Sequence, residues 1–294
     1  MKNLVVINTL CYNKKKSGGV KYVLETISMM TGTEVVFTGY PGHAEELVRK
    51  ASSCDMIVAA GGDGTIFEIV NGMNRSSQIL AIIPLGTGNN LARDLNITLR
   101  NVPFIIGSDI KSSIDIINCS VTTEKGKLNK CVMSTSGLGF VSRVADMANR
   151  FLKIGDAICY HVAGCLMVAP QRIIKAEVRF DNGPKERIAF TNFILNNARH
   201  AGNLCIFPEA KIDDGRLNML MYKAGVFKQC IWNLGVFTNR HFYNRGRRTV
   251  KKLEVELTRP ENLMCDGEII RGVTGVIYDV EPMALRGRFS STQL

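Results

Sequence analysis

Residues 57–72 read IVAAGGDGTIFEIVNG, an apolar strand that runs into Gly61, Gly62, Asp63, Gly64 and Thr65 and passes at once into a helical pattern. A strand-to-helix turn with three glycines points bare backbone N–H groups above the sheet, and the following helix adds the positive end of its dipole. Such a turn seats phosphate. Asp63 is the charged group inside the cluster, placed to pair with a metal, to orient a nucleotide, or to cap the helix that begins near Thr65. A second turn of this kind, IIPLGTGNNLARDL at 82–95, again joins an apolar strand to a helix. Thr65 and Thr87 follow their glycines in parallel positions, where a hydroxyl caps a helix or bonds a phosphate oxygen.

Outward from these turns, strands and helices alternate between Asn3 and Leu95: NLVVIN, KYVLETISMM, EVVFTG, HAEELVRKASS, MIVAAG, TIFEIVNGM, ILAIIP and NLARDL. Apolar runs between helices predict a parallel sheet covered on both faces, with ligands at the carboxyl ends of its strands. The stretch NTLCYNKKKSGG after the first strand reads as a polar, basic loop, suited to phosphate contact and equally to plain solvation. Beyond Lys111 the pattern changes to short strands and tight turns, among them IIKAEVRF, DNGP and ERIAFTNFIL, which read as a hairpin. Helical insertions are expected near 142–168 and 225–240. The predicted fold is α/β + β: a three-layer α/β nucleotide-binding domain (1–112 with a return at 283–294) and a β-sandwich domain (113–282), with a cleft between them.

The 294 residues are 46% hydrophobic and 21% charged, the balance of a globular chain with a real core. Nine scattered cysteines and four dispersed histidines suggest neither a disulfide framework nor a zinc cluster, so reduced intracellular thiols are expected. The start, MKNLVVINTL, reads as a first core strand and not as a secretory signal. The apolar stretch from Ala157 to Pro170 is too short to span a membrane. A formal net charge of +11 favours anionic partners. Nucleic acid ranks last among these, because no aromatic-basic interleaving or recognisable module is present.

Three Asp-Gly steps stand out: Asp63-Gly64, Asp214-Gly215 and Asp266-Gly267. The last two read as hairpin turns. Glu268, directly after such a turn and before Ile269 and Ile270, is placed to accept a proton from an attacking hydroxyl. There is no GxxxxGK[ST], HRD or DFG, so phosphate chemistry would rest on glycine backbone and carboxylates.

Taken in order, Asn8, Thr38 ahead of GHAEEL, GGDGT with Glu68, PLGTGN with LAR, SGLGF, FPEAKIDDGRLNM and the late DGE resemble the diacylglycerol kinase catalytic domain family, in particular its bacterial soluble lipid kinases. The resemblance covers nearly the whole chain. It implies ATP and Mg²⁺ as cofactors, with ATP contacts at Asn8, Thr38, Gly62, Asp63, Gly64, Thr65, Glu68 and Thr87. It implies Glu268 as proton acceptor, with Asp63 organising metal or phosphate. It further implies a structural metal site, for Mg²⁺ or alternatively Ca²⁺, from Asp214 and the carbonyls of Lys211 and Arg216. The implied partner is a lipid substrate such as diacylglycerol. The enzyme would be cytoplasmic and peripheral to the inner membrane face, held by Arg240, Arg245, Arg247, Arg248, Lys251 and Lys252. A homodimer stays open.

Three positions depart from the family pattern: Phe67 and Asn90 where it has asparagine and aspartate, and Asn8-Thr9 where NP is usual. Losing a carboxylate at Asn90 lowers the negative charge available for Mg²⁺. Two alternatives follow: a nucleotide or lipid sensor without turnover, and a soluble kinase of the NAD kinase type, which shares GGDGT.

Overall fold

The computed structural model describes residues 2–14, 18–109, 111–151, 172–201, 204–237 and 246–289. The apolar stretch 157–170, most of the expected 142–168 insertion, Lys15 and Lys16, Arg240 and Arg245 lie outside them. The chain divides into two compact units, Met1–Ile114 with Met283–Leu294, and Asp115–Pro282.

In the first unit the apolar runs form four parallel strands, β1 (Asn3–Ile7), β2 (Thr33–Phe37), β3 (Met56–Gly61) and β4 (Ile79–Pro84). Their order is β2-β1-β3-β4, in register from Asn3 opposite Thr33 and Met56 to Gly61 opposite Pro84. Strands β1, β3 and β4 are buried along their length, as unbroken Val, Ile and Ala runs require when both faces are covered. The covering helices include α2 (Gly18–Ser28), α3 (His43–Lys50), α4 (Asp63–Gly72) and α6 (Val102–Gly107), with α3 packed on α4 and α2 on α6. Gly287 pairs in parallel with Leu80, which adds the returning chain to the β4 edge.

Residues 9–14, expected as loop, instead form α1 (Thr9–Lys14). The cause is Asn8, whose Oδ1 accepts the N–H of Cys11 at 3.0 Å and so caps the turn. The helix has no buried residue and so shows no apolar spacing.

The second unit is a β-sandwich. Its strands are β5 (Ser112–Thr123, whose first residues belong to the first unit), β6 (Gly126–Val132), β7 (Thr135–Gly139), β8 (Ile174–Phe180), β9 (Lys185–Phe190), β10 (Asn192–Asn196), β11 (His200–Ala201), β12 (Leu204–Cys205), β13 (Leu217–Tyr222), β14 (Arg247–Val250), β15 (Lys252–Cys265) and β16 (Glu268–Gly287, whose last residues belong to the first unit). Helices α7 (Phe140–Phe151) and α8 (Val226–Phe237) interrupt them. The DNGP step joins β8 to β9 as an antiparallel hairpin. Strand β15 makes the corner: it pairs with β8 through Leu253–Leu257 and, past irregular register at Glu261, with β7 through Leu263–Cys265. Phe190, Phe193, Phe207 and Tyr278 fill the interior.

Candidate functional site

The two glycine turns of the first unit meet at the carboxyl ends of β3 and β4. Leu85 and Gly86 donate backbone N–H groups to the carbonyl of Gly61 at 2.9 and 3.2 Å. The approach is backbone on backbone, since a Cβ on Gly86 would overlap the Cα of Gly62, and one on Gly62 would lie 3.1 Å from the Cα of Gly86. Only glycine lets the chains come this close.

Helix α4 starts at Asp63, two residues before the expected Thr65. Its N-cap, Gly62, makes no side-chain capping bond, so the first-turn N–H groups stay available for an anion. Thr65 does not cap either. It is buried, and its Oγ1 accepts a hydrogen bond from Nδ2 of Asn8 at 3.0 Å, which ties the end of β1 to the start of α4. Thr38 extends the β1–β2 pairing: its N–H donates to Ile7, and its carbonyl accepts the hydroxyl of Thr9 at 2.6 Å. Thr87 is exposed in the second turn, three residues ahead of α5 (Asn90–Asp94).

Two carboxylates in this group are engaged in holding backbone. Glu68 accepts the N–H groups of Gly42 at 2.8 Å and Ala44 at 3.1 Å, capping α3, whose own N-cap Gly42 offers no side chain. Asp63 accepts the backbone N–H and side-chain Nδ2 of Asn90, each at 3.1 Å, and the N–H of Leu91 at 3.3 Å. It therefore caps α5 and not its own helix. Burial pushes the Asp63 carboxyl up from its ordinary value, against the pull of these N–H donors and of Arg93. Phe67 is a core residue.

In the second unit, Asp266 and Gly267 both have positive φ (47° and 95°) and close the β15–β16 hairpin, as the DG reading expects. The Asp266 carboxylate accepts three backbone N–H groups, from Met133, Ser134 and Thr135, at 2.7, 2.9 and 2.8 Å. Asn149 of α7 donates to the carbonyl of Gly267 at 2.8 Å. Glu268 stands exposed at the first position of β16. Neither anchor was read from the sequence; the positive φ that Asp-Gly favours was the available signal for Asp266, and nothing local points to Asn149.

Asp214-Gly215 is not a hairpin. It lies in an irregular run ahead of β13, with no strand among the described residues paired back across it, because a buried carboxylate fixes the turn instead: Asp115 Oδ2 accepts the N–H of Gly215 at 2.6 Å. Asp214 Oδ1 accepts the N–H of Arg216 at 3.0 Å. Lys211, Asp214 and Arg216 are brought together, exposed, in one loop. Asp214 and the loop carbonyls are hard oxygen donors of the type Mg²⁺ or Ca²⁺ takes.

Within the basic run, Arg247 pairs with Glu209 and lies over the ring of Phe207, Arg248 lies over Phe180, and Lys252 contacts Glu254 at 3.1 Å. Lys251 is exposed. Among the described residues no helix is long and apolar enough to cross a membrane.

Comparison with known proteins places these features. The family described as diacylglycerol kinase catalytic domain matches residues 2–120, and the YegS C-terminal NAD kinase beta sandwich-like domain matches residues 134–287. A diacylglycerol kinase of Staphylococcus haemolyticus (strain JCSC1435) is 30% identical over 177 residues, 57% of this chain and 50% of that protein. One from Staphylococcus aureus (strain Newman) is 27% identical over 175 residues, 57% of this chain and 52% of that protein. The chain thus matches about half the length of these curated relatives. The fold is that of a diacylglycerol kinase crystal structure from Bacillus anthracis str. Sterne (TM-score 0.76, 19% identity, 100% of this chain and 98% of that one). It is also shared, at TM-score 0.53 and 14% identity over 99% and 95% of the two chains, with an NAD kinase from Archaeoglobus fulgidus in complex with ATP. With both of its halves matched in sequence order, the chain belongs to the family of the YegS C-terminal NAD kinase beta sandwich-like domain, which covers just over half of it, and its first part is similar to the diacylglycerol kinase catalytic domain.

Proposed function

We propose that this chain is an ATP-dependent lipid kinase that moves the γ-phosphoryl group of ATP to a hydroxyl of a membrane lipid such as diacylglycerol. The observation that carries the reading is the pair of touching glycine turns, one of which opens α4 without a side-chain cap, in a chain whose first part is similar to the diacylglycerol kinase catalytic domain. In this reading the N–H groups of Asp63, Gly64 and Thr65 take phosphate oxygens. Asn8, Thr38 and Thr87 border the nucleotide, Glu68 holds the 39–44 loop, and Asp63 organises the two turns. Glu268 accepts the proton of the acceptor hydroxyl as its oxygen bonds to phosphorus. The bond from phosphorus to the ADP oxygen breaks, giving lipid phosphate, ADP and a proton carried by Glu268.

Mg²⁺ bound with ATP supplies charge neutralisation on the phosphates. Asp214 with the carbonyls of Lys211 and Arg216 would hold a divalent cation in the 211–216 loop, Mg²⁺ or Ca²⁺. Lys251 and its basic neighbours would give peripheral attachment to the anionic cytoplasmic leaflet.

Labelled ATP with Mg²⁺ and mixed micelles, each carrying one hydroxyl lipid, beside NAD as a soluble acceptor, tests the assignment. Label in a lipid supports it; label in NAD alone replaces it with a dinucleotide kinase. A second reading, a nucleotide-binding protein without turnover, is favoured by Asn90, a neutral donor to Asp63 where the resemblance expects a carboxylate. It predicts thermal stabilisation by ATP with no label in any acceptor.

A further inference from the structure

A divalent cation at the glycine turns would need carboxylate lone pairs, and Asp63 is the acid inside them. A carboxylate offers about four acceptor sites. Asp63 has committed three, to the N–H and Nδ2 of Asn90 and the N–H of Leu91. Removing those donors would leave α5 without its cap and the second turn without its tie across residues 63 to 91. Asn90 supplies a proton where a metal ion would supply positive charge. Among the described residues no three His, Cys, Asp or Glu side chains gather to hold a metal. The donor set at Asp63 therefore does not fit a metal ligand.

We propose that Asp63 is a positioning residue that clasps the second glycine turn to the first through Asn90, and that the phosphate seat is closed by this hydrogen bond from a neutral amide without a metal ion ligated by Asp63. The proposal rests on the nucleotide reading above and sharpens it. The seat is assembled before nucleotide arrives, and whatever cation the phosphates carry gains no ligand from Asp63. Replacing Asn90 with aspartate would set two carboxylates against each other at hydrogen-bond distance and create the cation requirement that the native pair lacks.

The test uses the full chain and two readouts, thermal melting without nucleotide and calorimetric ADP binding, each in EDTA and in millimolar Mg²⁺. Wild type and Asp63→Asn should show the same change in ADP affinity between the two buffers, within about threefold. Asn90→Asp should melt roughly 3–6 °C lower than wild type in EDTA, with Mg²⁺ recovering most of the loss. Any Mg²⁺-dependent rise in the wild-type melting temperature should persist in Asp63→Asn, since it would come from elsewhere in the chain. An ADP affinity that falls about tenfold or more in EDTA for wild type but not for Asp63→Asn overturns the clasp. So does a wild-type Mg²⁺ effect that Asp63→Asn abolishes. If ADP binds in neither buffer, the nucleotide reading fails, and the melting comparison of Asn90→Asp with wild type still decides the clasp.

Discussion

Asp63 carries a charge into the wall of the glycine turns, and its pKa records the conflict. Burial pushes the carboxyl up, while the N–H groups of Asn90 and Leu91 pull it down. A carboxyl whose folded pKa is raised above its unfolded value contributes most to stability in acid, and loses that contribution as pH rises through the folded value. The melting temperature of wild type relative to Asp63→Asn should therefore improve as pH falls from neutrality towards the ordinary carboxylate range. A difference that instead widens in favour of wild type with rising pH would contradict the burial argument. Gly86 makes a second prediction. Its Cβ would strike the backbone of Gly62, which cannot move aside as a side chain can, so Gly86→Ala should cost about 1–3 kcal/mol in denaturant unfolding. The sequence pointed to these residues as a phosphate turn, but not to what Asp63 touches, because its partners lie 27 and 28 positions away. Glu68 is the same case: its motif places it beside the glycines, yet its carboxylate caps a helix that starts before it in the chain.

The strands and helices were legible wherever one strong local signal decided them. Unbroken apolar runs gave β1, β3 and β4, and the helices between them followed from apolar spacing. Helix α1 was missed because its six unburied residues carry no such spacing and one capping side chain, Asn8, starts it. Two identical Asp-Gly steps ended differently for a reason no local reading contains. Asp266-Gly267 is flanked by strands that pair, whereas Gly215 is fixed by Asp115, a hundred residues earlier. The β15–β16 hairpin depends on the first of these. Asp266→Ala would strand three backbone N–H groups that its carboxylate now accepts, and should destabilise the chain by about 2–4 kcal/mol. Asn149→Ala, which loses one exposed hydrogen bond, should cost under about 1 kcal/mol. Equal losses for the two variants in chemical denaturation would show that Asp266 is not the anchor.

Across the whole molecule, a formal charge of +11 sits on a chain whose described helices cannot cross a bilayer. Part of the basic run is paired with acids, Arg247 with Glu209 and Lys252 with Glu254, so surface attraction rests on fewer unpaired charges than the sequence count suggests. If peripheral attachment is electrostatic, co-sedimentation with vesicles rich in anionic lipid should weaken steeply as salt is raised, because the Debye length falls from about 10 Å at 0.1 M to about 3 Å at 1 M. Binding that ignores salt would point to apolar insertion instead. The lipid acceptor itself was not legible, since an acyl site depends on packing that no motif encodes. The central claim is phosphoryl transfer with Glu268 as the base, and the measurement that meets it head-on is transfer of label from ATP to diacylglycerol in mixed micelles by wild type and Glu268→Gln, with ADP affinity measured for both. The account predicts labelled lipid from wild type, a loss of about 10²–10⁴-fold in Glu268→Gln, and ADP affinity unchanged within about threefold. Equal transfer by the two proteins, or no labelled lipid from a wild type that binds ADP, would contradict it.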